Sequence, residues 1–212
     1  MDLRVLPVDR VQVYLLFYKP TRMDPLLNRL VAYVDGPFSH VEMAVPDRYG
    51  EEPWERMVWG SSIYQNEPVF FKQKTYKRDG YVSIAIEVTV PQMHKLRSFC
   101  RVHADRETPF SLMGMYAAYL PFQLVHTEGT FCSKHVAQAL QYAGVPALEG
   151  VNPALTTPST LYKRLTRIAI LQVVPSRMLM ARENPKNLLL MMNNNNNTAA
   201  TTTTSTTIMP IQ

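Results

Sequence analysis

Between Val11 and Tyr18 the chain reads VQVYLLFY, a run of apolar, β-branched and aromatic residues in which Gln12 is the one polar break, and Pro20 closes it. So short and so apolar a run predicts a buried strand, and a buried strand requires a sheet around it. The next segments agree. Asp24-Pro25 opens a short helix over Leu26 to Val34, with Asp24 as its cap and Pro25 at its first position. Asp35-Gly36-Pro37 breaks that helix, and Phe38 to Val45 (FSHVEMAV) predicts a second strand. Side chains alternate along a strand, so His40 and Glu42 share one face while Val41 and Met43 share the other.

Further along, Pro46 to Trp54 reads as a turn or small insertion, and Arg56 to Ser62 and Pro68 to Lys72 predict strands around a polar turn. Tyr81 to Val90 (YVSIAIEVTV) alternates well enough to be a strand. A helix follows from Pro91, with Met93, Leu96, Phe99 and Cys100 at helical spacing, which assigns Cys100 to the core. Ser111 to Phe122 predicts an apolar helix suited to one wall of a groove. Phe131-Cys132-Ser133 then enters a helix that runs to Ala143 and is stopped by Gly144. A last short helix is expected over Thr160 to Thr166, then a strand-like Ile168 to Val174. The expected organisation is one domain over residues 1–180 and a disordered tail over 181–212, where runs of Asn and Thr leave nothing to bury.

Thiol catalysis needs a thiolate, a base and donors for an oxyanion. Cys132 sits where a polar, Gly-containing loop meets a helix, and a helix N-terminus both lowers a thiol pKa and offers unpaired N–H groups. A small buried hydrophobe on the helix stripe is the competing role for a free cysteine. Lys134 and His135 beside it are expected to face solvent. His40 is the candidate base, and Glu42 on the same strand face is the candidate carboxylate that fixes its tautomer. Their parallel side chains fit a triad loosely, so Glu42 is the weakest of the three assignments. His40, Glu42, His126, Cys132 and His135 are zinc-compatible types, yet no close pair has metalloprotease or zinc-finger spacing, and neither metal nor cofactor is expected.

The net charge of +5 is spread along the chain, which argues against a nucleic-acid reader. Two cysteines are too few for a disulfide framework, so a reducing compartment is the simpler expectation. Met1 to Arg10 lacks the apolar stretch of a signal peptide, and no run approaches the roughly 18 apolar residues of a membrane span. A soluble protein is expected, with contact at a membrane surface left open.

Taken together, Pro37-Phe38-Ser39-His40-Val41-Glu42-Met43-Ala44, then Gly60-Ser61-Ser62, then Phe131-Cys132-Ser133 with Val136, Ala137 and Leu140 behind it, resemble the circularly permuted papain-like amidases. These are the YaeF/YiiX-like relatives of the NlpC-type cell-wall peptidases and of lecithin retinol acyltransferase, in which the histidine strand precedes the cysteine helix. The resemblance spans about Val11 to Leu165 and includes Pro158-Ser159-Thr160-Leu161, similar to the start of a closing helix in that family. It implies an α+β fold of the permuted papain-like kind: a small, mostly antiparallel sheet packed on the helix that carries Cys132. It also implies thiolate attack on an amide, ester or thioester, with Cys132 as nucleophile, His40 as base and Glu42 as third member.

Ser61 and Ser62, followed by Val69-Phe70-Phe71-Lys72, are similar to a substrate-side hairpin of some viral and phage members, which makes Ser61, Ser62 and Phe131 candidate substrate contacts. Either serine is also an alternative third member. Lys134 departs from the acidic residue common two positions after the cysteine. The resemblance admits peptide, isopeptide and lipid-ester substrates and a cytoplasmic or virion-associated setting. Two rivals stay open: a lipid acyltransferase or phospholipase that uses Leu112 to Phe122 as an acyl groove, and an inactive papain-like binding module.

Overall fold

A computed structural model of the chain describes residues 10–46, 53–54, 56–119 and 128–167. All of these belong to one compact unit, Met1–Ile168. The proposed domain end at 180, the strand-like Ile168 to Val174, the low-complexity tail, His126, the N-terminal segment and most of the 46–54 insertion lie outside the described residues.

The unit is α+β. Five strands, β1 (Arg10–Tyr18), β2 (His40–Val45), β3 (Val58–Ser62), β4 (Phe70–Lys74) and β5 (Tyr81–Thr89), form one sheet in the order β4-β3-β2-β1-β5. Every pairing in it is antiparallel. The apolar run that predicts a buried strand is β1, which lies between β2 and β5. Its two faces feed two cores. Val13, Leu15 and Phe17 join Val41, Met43 and Val45 beneath the helices α2 (Val90–Asp105) and α4 (Cys132–Tyr142), while Tyr14 and Leu16 pack with Ala44, Val58 and Tyr76 on the other side.

Helix boundaries follow the available caps. Thr89, not Pro91, begins α2: its hydroxyl accepts from Gln92 N and the Gln92 side chain accepts from Thr89 N, a reciprocal capping box. Asp24 does not cap α1 (Leu26–Asp35) as the sequence suggests. Its carboxylate turns back to accept from Thr21 N, Thr21 Oγ1 and Tyr18 Oη, leaving Pro25 at the helix start without a side-chain cap. The helix predicted over Ser111 to Phe122 is shorter, α3 (Leu112–Ala117), capped by Ser111, whose hydroxyl accepts from Gly114 N; residues 120–122 lie outside the described residues. The last helix spans 158–167, beginning earlier than Thr160 because Thr157 Oγ1 accepts from Thr160 N.

The segment after α1 fixes the start of β2. Asp35 accepts from Thr157 Oγ1 and from Ser159 N. Gly36 follows at φ 125°, where a Cβ would meet Ser159 Oγ at 3.0 Å. Only glycine suits both the left-handed backbone and that close approach. The Ser133 hydroxyl donates to Thr156 O at 2.7 Å, so the beginnings of β2 and α4 are tied to the same 156–159 segment. Among the described residues no helix is long and apolar enough to cross a membrane.

Candidate active site

His40 is the first residue of β2, so its ring sits at the end of the sheet. Helix α4 begins beside that end, and its approach is pinned by a bridge between Phe110 and Thr130, with Ser111 N donating to Thr130 O at 2.7 Å and Thr130 N to Pro109 O at 3.0 Å. Cys132 is thereby placed at the first position of an eleven-residue helix, 7% exposed, with its thiol beside the His40 ring and near the backbone N–H groups of Val41 and Ser133. The helix has Phe131 at its N-cap, which offers no side-chain acceptor. An apolar residue there is a poor cap. It leaves first-turn N–H groups free for other partners.

Burial by itself would raise the thiol and lower the imidazole. Each opposes that effect in the other. Despite its burial, the Cys132 thiol lies below its ordinary value, because the neighbouring His40 charge and the two backbone N–H groups favour thiolate. Burial likewise works against a charged His40, but the Cys132 thiolate and then Glu42 raise the imidazole to about 9. Both shifts run in the direction that favours a thiolate–imidazolium pair.

His40 Nε2 lies 3.6 Å from Glu42 Oε1, an ion contact longer than a hydrogen bond, and 3.4 Å from Ser62 Oγ. Glu42 is fully buried inside a set of donors that the sequence reading missed. Tyr64 Oη (2.7 Å) and Tyr81 Oη (3.1 Å) donate to its Oε1; Lys74 Nζ (2.8 Å) and Tyr76 Oη (2.9 Å) donate to its Oε2. These donors fill the roughly four acceptor sites of a carboxylate. Burial would raise the Glu42 carboxyl, but His40 and Lys74 hold it well below the usual range. Burial and the Glu42 charge raise all three tyrosines, which keeps them as O–H donors. The Tyr64 ring also stacks on the His40 ring, with centroids 5.0 Å apart. Gly60 leaves room for this cage, since a Cβ there would collide with Tyr76 Oη and come within 2.8 Å of Lys74 Cδ.

The two serines separate across the sheet. Ser62 shares the face of Glu42; it is fully buried under the imidazole, donating to Val41 O at 2.7 Å. Ser61 points to the opposite face, where its hydroxyl lies 2.9 Å from His135 Nε2. Neither serine lines the cleft, because alternation on β3 buries one on each side. Phe131 is also buried and does not line the main cleft. Of the three proposed substrate contacts, Ser61 and Ser62 lie away from the cleft, and Phe131 lines only a small pocket beside Cys132. The cleft itself, about 490 Å³, brings His40 and Cys132 together with Tyr18, Tyr64, Tyr81 and Met115.

The expectation that Lys134 and His135 face solvent also needs correcting. Lys134 is half-buried and donates to Gly129 O at 2.8 Å. His135 is fully buried, and burial followed by the His103 charge lowers its imidazole to about 3. An unfolded histidine takes up a proton below about 6.5, whereas His135 refuses one in the fold. Stability should therefore fall by up to about 1.4 kcal/mol per pH unit as pH drops from 6.5 towards 3. Urea unfolding between pH 6.5 and 4.5 should show a shallower slope in His135→Gln than in the parent; identical slopes would show that another group carries the acid sensitivity.

No protein-family model, curated protein or solved structure matches this chain.

Proposed function

We propose that the chain is a cysteine-dependent acyl-transfer enzyme, a hydrolase of amides or esters of the permuted papain-like kind. Cys132 is the nucleophile, His40 the base that returns its proton to the leaving group, and Glu42 the buried carboxylate that favours the imidazolium. The observation carrying this reading is the juxtaposition of Cys132 and His40, about ninety residues apart in sequence, in the lining of one cleft and beside a helix N-terminus. An inactive module would have no need of a thiol set against an imidazole in the lining of a cleft.

The reaction follows from these positions. The Cys132 thiolate attacks the carbonyl carbon, and the π pair moves onto the oxygen. When the C=O bond reforms, the bond to the leaving amine or alcohol breaks and that group takes a proton from His40. Water, or an acceptor alcohol or amine, then attacks the thioester, gives its proton to His40, and releases the thiolate. An electrophilic acyl or vinyl-sulfone probe should label the full chain at Cys132 and give no adduct with Cys132→Ala. Equal labelling of the two would end the proposal.

A lipid ester is the second substrate reading, favoured by exposed apolar residues on two helices that each contribute to the cleft lining. Met23 (94% exposed), Leu26, Leu30, Tyr33 (88% exposed) and Val34 are exposed on and beside α1, which also contributes Leu27 and Val31 to the cleft. Leu112, Met113 and Tyr116 are exposed on α3. Apolar residues concentrated beside one cleft suit an acyl chain or a bilayer surface. A panel of short peptides and long-chain esters decides between the readings: turnover of peptides alone would remove the lipid one.

A further inference from the structure

A second, much smaller chamber adjoins the cleft at Cys132. It holds about 10 Å³ and is lined by Val31, Ser39, Met115, Tyr119, Phe131 and Cys132, among others. That volume is close to the room for a single oxygen-bearing species. Its position is specific: Cys132 and Ser39 line both the chamber and the substrate cleft.

Two unpartnered donors meet there. Ser39 Oγ is buried and has no hydrogen-bond partner. Its backbone N–H is already committed to Tyr18 O at 3.1 Å, so the hydroxyl is what Ser39 has to offer. Ser39 sits in the bend that leads directly into His40 at the start of β2. The second donor is the Cys132 N–H. It belongs to the first turn of α4, where the earliest helical bond runs from His135 N to Phe131 O, and the Phe131 cap supplies no acceptor. A buried hydroxyl without a partner weakens a fold. Beside a nucleophile and a helix N-terminus, it can be satisfied by an oxygen that gains charge during the reaction.

We infer that Ser39 Oγ and the Cys132 N–H form the oxyanion site, with the small chamber receiving the carbonyl oxygen. This rests on the acyl-transfer reading above and deepens it. As the Cys132 sulfur forms its bond to the carbonyl carbon, the displaced π pair becomes an oxygen lone pair and negative charge that accepts hydrogen bonds from Ser39 and from the helix terminus. The same pair reforms the C=O bond as the leaving group departs. Ser39 neither gains nor loses a proton in the cycle.

Alkylation and acylation of the same sulfur separate this role from a structural one, because iodoacetamide forms no oxyanion and an ester does. Ser39→Ala, checked for an unchanged melting profile, should be acylated by p-nitrophenyl acetate about 100-fold more slowly than the parent. Its iodoacetamide rate should stay within about twofold of the parent, since thiolate reactivity depends on thiol pKa. Ser39→Thr, which keeps the hydroxyl, should recover part of the acylation rate. Equal acylation of the parent and Ser39→Ala at Cys132 would overturn the Ser39 assignment and leave the acyl-transfer reading standing. A parallel loss of alkylation would also overturn it, by placing the effect on the thiolate. Failure of the parent to acylate at Cys132 would remove both.

Discussion

Glu42→Ala should destabilise the fold by about 3–5 kcal/mol, the usual consequence of removing one partner from a buried charged pair. The reason lies in what would remain. Lys74 Nζ and the hydroxyls of Tyr64, Tyr76 and Tyr81 now converge on one carboxylate with no exposed surface. Deleting it strands a cation and three hydroxyls around a cavity. For a unit of this size that loss amounts to a fall of about 10 °C in melting temperature, readable by calorimetry. A loss under about 1 kcal/mol would mean that the cage is not formed in solution.

Glu42→Gln keeps the shape and some of the hydrogen bonds but removes the charge, and it reports on chemistry as well as stability. The folded Glu42 carboxyl lies below its ordinary value of 4.5, so the unfolded chain takes up a proton there that the fold resists. The stability advantage of the parent over Glu42→Gln should be full above pH 4.5 and shrink as pH falls below it. The same variant should lower the His40 imidazole from about 9, because one of the two negative charges holding it up is gone. The alkaline limb of a turnover profile should shift downward with it.

His40→Ala should give the largest kinetic effect, slowing amide or ester turnover by about 10²–10⁴-fold, the range for a positioned acid–base group. Its signature is in pH. In the parent, the acid limb follows the lowered Cys132 thiol, and turnover falls above about 9 as His40 loses the proton that the leaving group requires. Iodoacetamide alkylation needs only thiolate and should remain fast above pH 9. Without His40, only the two backbone N–H groups oppose the effect of burial on the thiol, so alkylation at pH 7 should drop and recover in alkaline solution. An unchanged alkylation profile would mean that Cys132 is not paired with His40.

Much of the scaffold follows from local pattern. The β-branched and aromatic run at β1, the alternation at β5, the Gly36 break and the loop-to-helix junction at Cys132 are encoded by residues close in sequence, and each appears near its expected position. The shared face of His40 and Glu42 follows from the two-residue period of a strand and needs nothing else. Cap geometry was less legible. Asp24 could cap α1 or bond to Thr21 and Tyr18, and the preference for the second depends on a tyrosine brought alongside by the turn.

The surroundings of those side chains required the tertiary structure. Tyr64, Lys74, Tyr76 and Tyr81 come from two strands and the turns beside them, and no periodicity relates them to Glu42 until the strands take the order β4-β3-β2-β1-β5. Ser61 and Ser62 look equivalent in sequence, but register places one under the imidazole and the other against His135 on the opposite face. The sequence by itself determined which elements form and which way His40, Glu42 and the start of the Cys132 helix face, because backbone period and caps act over a few residues. Only the packing of distant segments decided what those groups meet: a buried cage for Glu42, an imidazole for Cys132, and an unpartnered hydroxyl beside the nucleophile. Contacts of that kind are set by strand order and burial, which no local pattern records.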